Sequence, residues 1–193
     1  NNASFIASLE RLHIQLDPLG GTLIRGLQGG LPAGIAMDVE NTRLITGPLT
    51  ASLRRYQTFG ARYLILQERA LLGDDMGLGK TVQVLAAMSH LHALGARHFL
   101  VVAPNSVIIN WCREVEKHTE MSPVLLHGPE RDERLAQWRT EGGVAITTYG
   151  TLSKLIDDIE TVDYFAADEA HMAKNPEAIR TKAVAEAADR SQY

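Results

Sequence analysis

The chain reads as an α/β protein: a parallel sheet with helices on both faces, preceded by a short helical and glycine-rich N-terminal segment. Three observations predict this. After residue 68, apolar strand-like runs and amphipathic helical patterns alternate about five times. The runs are continuously apolar, as in His98-Phe-Leu-Val-Val-Ala103, which is the pattern of strands buried on both faces. The first of them, beginning at Arg69, empties into a glycine-rich turn that ends in Lys80-Thr81 and opens a helix.

Taken in order, residues 4–16 place Phe5, Ile6, Leu9, Leu12 and Leu16 at helical spacing, with Ser4 as a cap and Asp17-Pro18 as a stop. Residues 19–47 are rich in glycine and could be short strands, a linker or the tail of an upstream domain. The pattern changes at Pro48, so residues 1–47 are read as an appendage, more as padding than as a targeting module, and 48–193 as the main domain. Leu53, Tyr56, Phe59, Tyr63 and Leu64 mark a helix up to about Gln67, followed directly by the first strand. Val84, Leu85, Met88 and Leu91 make 80–94 a helix stopped near Gly95. After the strand 98–103, Asn105 or Ser106 should cap a helix carrying Ile108, Trp111, Cys112 and Val115. The remaining pattern predicts strands at 124–127, 144–149 and 164–168. Helices are predicted at 130–140, at 152–159 and from Asn175-Pro176 onward. Trp111 and Trp138 read as core anchors; His90, His92 and His98 read as partly exposed and without metal-ligand company.

Composition excludes several function classes. With 193 residues, 45% hydrophobic and 22% charged, the chain can bury one good core. A net charge of −4 argues against binding a polyanion through bulk charge, so any nucleic-acid site must be local. No apolar run reaches bilayer length and no signal pattern opens the chain, which predicts a soluble, intracellular, monomeric protein without a membrane partner. The single Cys112 permits no intramolecular disulfide and reads as a buried core thiol. The chain opens on Asn1 rather than methionine, which suggests a piece of a longer protein.

In open parallel sheets ligands bind beyond the carboxyl ends of the strands. Four polar clusters are predicted there: 77–81, 104–106, 147–150 and 168–171. Gly77 and Gly79 let backbone N–H groups converge on an anion, the following helix adds its unpaired donors, and Lys80 adds a point charge. Thr81 offers a hydroxyl to Mg²⁺, and Asp168 a carboxylate for the same ion. Glu169 is placed to take a proton from a water attacking a γ-phosphate, and His171 to sense that phosphate. Asp74 stands where the strict phosphate-loop pattern wants glycine, so the argument rests on context.

These residues resemble the Snf2-type ATPases of helicase superfamily 2. Leu53-Arg-Arg-Tyr-Gln57 with Gly60 resembles the motif that opens their core, which implies Gln57 as an adenine contact. Asp74-Asp-Met-Gly-Leu-Gly-Lys-Thr81 resembles their phosphate loop, which makes Asp75, Met76, Gly77, Leu78, Gly79, Lys80 and Thr81 nucleotide contacts and Asp74 a family feature. Leu100-Val-Val-Ala-Pro-Asn-Ser106 with Trp111 and Glu114 resembles motif Ia, and Thr147-Thr-Tyr-Gly150 the motif that touches the nucleic-acid backbone. Pro104, Asn105, Ser106, Thr148, Tyr149 and Gly150 are then the expected nucleic-acid residues. Asp168-Glu-Ala-His171, followed by Lys174-Asn175, resembles motif II.

The resemblance implies a RecA-like P-loop NTPase lobe that uses ATP and Mg²⁺, with Lys80, Asp168, Glu169 and His171 as the catalytic set. It further implies ATP-driven movement on double-stranded DNA. The sequence stops soon after motif II, so 48–193 is expected to be a partial lobe one; the rest of that lobe and all of lobe two are expected to be missing, together with lobe two's arginine finger, worth about 10³ to 10⁵ in rate. The piece alone should bind ATP with little turnover and hold DNA weakly. Two other readings are an RNA helicase of the Asp-Glu-Ala-His type and a nucleotide-gated scaffold without turnover.

Overall fold

The computed structural model describes residues 31–73 and 77–193. The helix expected over residues 4–16 and the expected contacts Asp75 and Met76 lie outside the described residues, as does Asp74.

The core of the fold is a four-stranded, all-parallel sheet in the order β2-β3-β1-β4, formed by β1 (His98–Ala103), β2 (Pro123–Leu125), β3 (Gly143–Thr148) and β4 (Tyr164–Ala167). In β1 the alternate residues Phe99, Val101 and Ala103 enter one apolar cluster and Leu100 and Val102 the other. The two-residue period of a strand thus explains why an unbroken apolar run is needed here: both faces are covered. One face carries α2 (Arg55–Gln67), α3 (Lys80–Ala93) and α4 (Ile108–His118). The other carries α5 (Arg131–Glu141), α6 (Tyr149–Leu155) and α7 (Ile179–Asp189).

Several boundaries differ from the sequence expectation, each for a local reason. The strand expected from Arg69 is not part of the sheet. Ala70 and Leu72 do pack against the first cluster. The backbone beside β4 is instead paired with the last residues: Gln192 N–H donates to the Val162 carbonyl (3.2 Å) and Phe165 N–H to that of Tyr193 (2.8 Å). The helix expected from Asn175 begins at Ile179, because Asn175 first closes a turn, its Oδ1 accepting from Glu177 N–H (3.1 Å). Neither Asn105 nor Ser106 caps α4, whose N-terminal flank is Val107 after a turn closed on the Pro104 carbonyl (3.0 Å). The segment expected as a 152–159 helix starts three residues earlier at Tyr149 and tightens into a 3₁₀ turn at Ile156–Asp158.

A helix that composition concealed, α1 (Ala33–Asn41), lies within the glycine-rich stretch. It buries Ala36 and Val39 and is held to α2 by Arg62, whose Nη1 donates to the Glu40 carbonyl (2.9 Å). The following segment is tied to α3 by Ile45 N–H, which donates to Nδ1 of His90 (3.0 Å). His90 is therefore not partly exposed as expected; it is 7% exposed, while His92 and His98 are half-buried.

Burial, and then the Arg43 charge, hold the His90 imidazole below its ordinary value. Its neutral form is also the one whose Nδ1 can accept. The folded pKa lies below the unfolded value of about 6.5, so this stabilisation is complete above that pH and is lost as pH falls from there toward the folded pKa. Melting temperatures measured from pH 8 to 5 should show the wild type losing stability below about pH 6.5 relative to His90→Gln, which accepts without titrating. Parallel profiles would remove the role given to His90.

Candidate nucleotide site

Because all four strands run parallel, their carboxyl ends share one rim, which carries residues 104–106, 126–128, 148–150 and 168–171. At the far end of α3, His92 meets Phe99 of β1 edge-on (6.2 Å between ring centres). The helix thus runs back along β1 and presents its N-terminus toward the rim.

That N-terminus has no side-chain cap. Gly77 (φ 85°) and Gly79 (φ 73°) both take left-handed conformations that only glycine adopts without strain. Gly79 is doubly constrained, since a Cβ there would lie 2.5 Å from Nε2 of Gln57. The Gln57 side chain lies across the loop: Nε2 donates to the Leu78 carbonyl (3.4 Å), and Oε1 accepts from Arg54 N–H (2.9 Å) at the start of α2. Lys80 and Thr81, both partly exposed, form the first turn of α3. The loop thus combines a helix N-terminus without a side-chain cap, glycines that let the backbone approach an anion, and a lysine.

Asp168 follows β4 directly and is held on three sides. Its N–H donates to the Val102 carbonyl (2.8 Å), its carbonyl accepts from the Tyr149 hydroxyl (2.6 Å), and its Oδ2 accepts from the Trp111 indole N–H (2.9 Å). Burial, and then the Asp168 and Glu169 carboxylates, push the Tyr149 phenol above its ordinary value, which keeps the hydroxyl a donor. Glu169 sits in the left-handed region (φ 55°, ψ 49°), the kind of strained non-glycine backbone that clusters at functional sites. Its Oε2 lies 2.9 Å from Nδ1 of His171, and both side chains are about half exposed.

The rim residues expected to touch nucleic acid divide. Asn105, Ser106 and Gly150 are exposed and Pro104 partly so. Thr148 and Tyr149 are buried. Thr148 Oγ1 accepts from Thr151 N–H (3.1 Å) to cap α6, and the Tyr149 hydroxyl is spent on Asp168. Sequence reasoning missed the second task of Trp111, since helical spacing marks a buried face without saying what the indole N–H will meet. It also passed over His127, whose Nδ1 lies 3.2 Å from Thr151 Oγ1 beyond the end of β2.

Among the described residues no group of three or more His, Cys, Asp or Glu could hold a metal by itself. Cys112, expected as a buried core thiol, is half-buried. Burial, and then Glu116, push its thiol above the ordinary value, which disfavours the nucleophilic thiolate. A cleft of about 600 Å³ between α4, β2 and α5 opens at the strands' N-terminal ends, away from this chemistry. No helix among the described residues is long and apolar enough to cross a membrane.

A family model described as the SNF2-related domain matches residues 56–192. The DNA excision repair protein ERCC-6-like 2 of Mus musculus is 35% identical over 65% of this chain and 10% of its own length. YwqA of Bacillus subtilis (strain 168) is 34% identical over 92% of this chain and 23% of its own. The chain therefore spans less than a quarter of the length of these curated relatives. The Sulfolobus solfataricus SWI2/SNF2 ATPase core, solved in complex with dsDNA, superposes with a TM-score of 0.66 at 31% identity, covering 78% of this chain and 32% of that one. The parallel sheet with its helices is the RecA-like fold of that core, and the chain belongs to the SNF2-related family.

Proposed function

We propose that this chain is part of the ATP-binding first lobe of a Snf2-family, DNA-dependent ATPase that works with a second RecA-like lobe to move on double-stranded DNA and remodel protein–DNA or DNA structures. The observation that carries the reading is the pairing of an uncapped helix start behind two left-handed glycines with a fixed Asp168-Glu169 at the sheet's carboxyl rim. Family membership and the duplex-bound Sulfolobus core support it. The need for a second lobe is argued from coverage, since this chain spans only 32% of that core.

In this reading the 77–81 loop with Lys80 cradles the phosphates. Gln57, already against the loop, exchanges its contacts for adenine; Asp75 and Met76 are further nucleotide contacts, argued from the sequence resemblance alone. Thr81 and the Oδ1 of Asp168 would hold Mg²⁺, which when bound neutralises charge between the β- and γ-phosphates. Glu169 accepts the proton of the attacking water, and His171 holds the Glu169 carboxylate in reach. Asn105, Ser106 and Gly150 meet the DNA backbone through hydroxyl, amide and N–H groups. With a net charge of −4, binding of duplex by this chain alone is weak and falls with salt.

The test is equilibrium binding of ATP to the 193-residue chain and to Lys80→Ala. Removing a charge-assisted contact to phosphate should weaken binding by about 10- to 100-fold. Equal affinities would sink the assignment of the loop. In a protein carrying both lobes, turnover stimulated by duplex DNA supports the reading; stimulation by RNA alone makes it an RNA helicase, and no turnover makes it a gated scaffold.

A further inference from the structure

We infer that Trp111 is a positioning residue for the metal-binding carboxylate, and not only a core anchor. The inference rests on the nucleotide reading above and extends it to a residue on another helix. Asp168 has almost no backbone freedom, with its N–H on Val102 and its carbonyl on Tyr149. Rotation of the carboxylate is what remains. The Trp111 indole N–H, 2.9 Å from Oδ2, fixes that rotation and occupies one oxygen, leaving Oδ1 to face a cation.

The two tethers come from opposite faces of the sheet. Trp111 belongs to the cluster that includes α2, α3 and α4, and Tyr149 to the one that includes α5, α6 and α7. Trp111 also follows residues 104–106 and Tyr149 precedes Gly150, so each tether is rooted beside an exposed rim segment. Partners of metal ligands that fix orientation typically set affinity by 10- to 100-fold. A buried indole N–H also needs an acceptor for its own sake, so the contact alone does not separate a structural role from a positioning one. Metal affinity does.

The experiment uses the full 193-residue chain with Mn²⁺ as the probe, its binding followed by electron paramagnetic resonance in the presence of ATPγS. Two variants are compared with wild type: Trp111→Phe, and Trp111 replaced by the benzothienyl analogue of tryptophan. The analogue keeps the ring volume, lacks only the N–H donor, and serves if the phenylalanine variant does not fold. The Mn²⁺ dissociation constant should rise about tenfold, while ATPγS affinity measured in EDTA stays within about twofold of wild type. An unchanged Mn²⁺ constant in the analogue, or a parallel loss of both affinities, overturns the inference. If the wild type binds no ATPγS, the nucleotide reading itself falls, and this inference with it.

Discussion

Glu169→Gln should lower ATP turnover by about 10²- to 10⁴-fold, the range a positioned general base supplies, while ATP binding stays near wild type. Glutamine keeps the length and one acceptor oxygen of the side chain, and it meets the same left-handed backbone at φ 55°, so the strain at this position is common to both proteins. What it loses is the capacity to take a proton. In the proposed function the neighbouring His171, 2.9 Å from the carboxylate, orients the base, so His171→Ala should show a smaller loss of the same kind. Single-turnover hydrolysis in a protein carrying both lobes measures the first quantity, and nucleotide titration of the 193-residue chain the second. Turnover within about threefold of wild type would place the base elsewhere.

Trp138→Ala should destabilise the fold by about 3–5 kcal/mol, the usual cost of emptying a large buried site. Trp138 is 2% exposed on α5, its indole N–H donates to the Gly143 carbonyl (2.9 Å), and its ring meets His98 edge-on at 5.2 Å. Truncation removes both contacts along with the buried ring and leaves the Gly143 carbonyl without that donor at the start of β3. For a chain of this size the melting temperature should fall by roughly 6–20 °C. Trp138→Phe, which keeps a ring and loses the N–H, should cost about 1–3 kcal/mol. A fall under 3 °C for the alanine variant would mean that α5 is not anchored through this side chain.

Much of the fold is legible in the residues, for physical reasons that differ by element. The bounds expected for β1 match those found, because an apolar run closed by Ala96-Arg97 and Pro104 has only one length that buries both faces. The start of α3 at Lys80 is equally plain, since glycine permits the turn and no residue from 80 to 93 breaks the helix. By contrast, α1 has a narrow apolar stripe, Ala36 and Val39, set among glycines. Its helix depends on packing against α2, which no local pattern records. The strand expected from Arg69 is the opposite case: Ala70 and Leu72 have strand-like composition and do find the core, but pairing depends on which backbone lies beside β4.

The same division runs through the site. The sequence by itself determined which chemical groups were available: glycines before Lys80-Thr81, and Asp168-Glu169 at the end of a strand, because spacing and residue type fix what a strand end or helix start can present. Only the tertiary structure decided how they are held. It set Gln57 against the loop, took Thr148 and Tyr149 inward, and brought Trp111 to a carboxylate 57 residues away in sequence. Hydrophobic periodicity specifies the face a residue buries, whereas the partner of a buried polar atom is set by where other elements end.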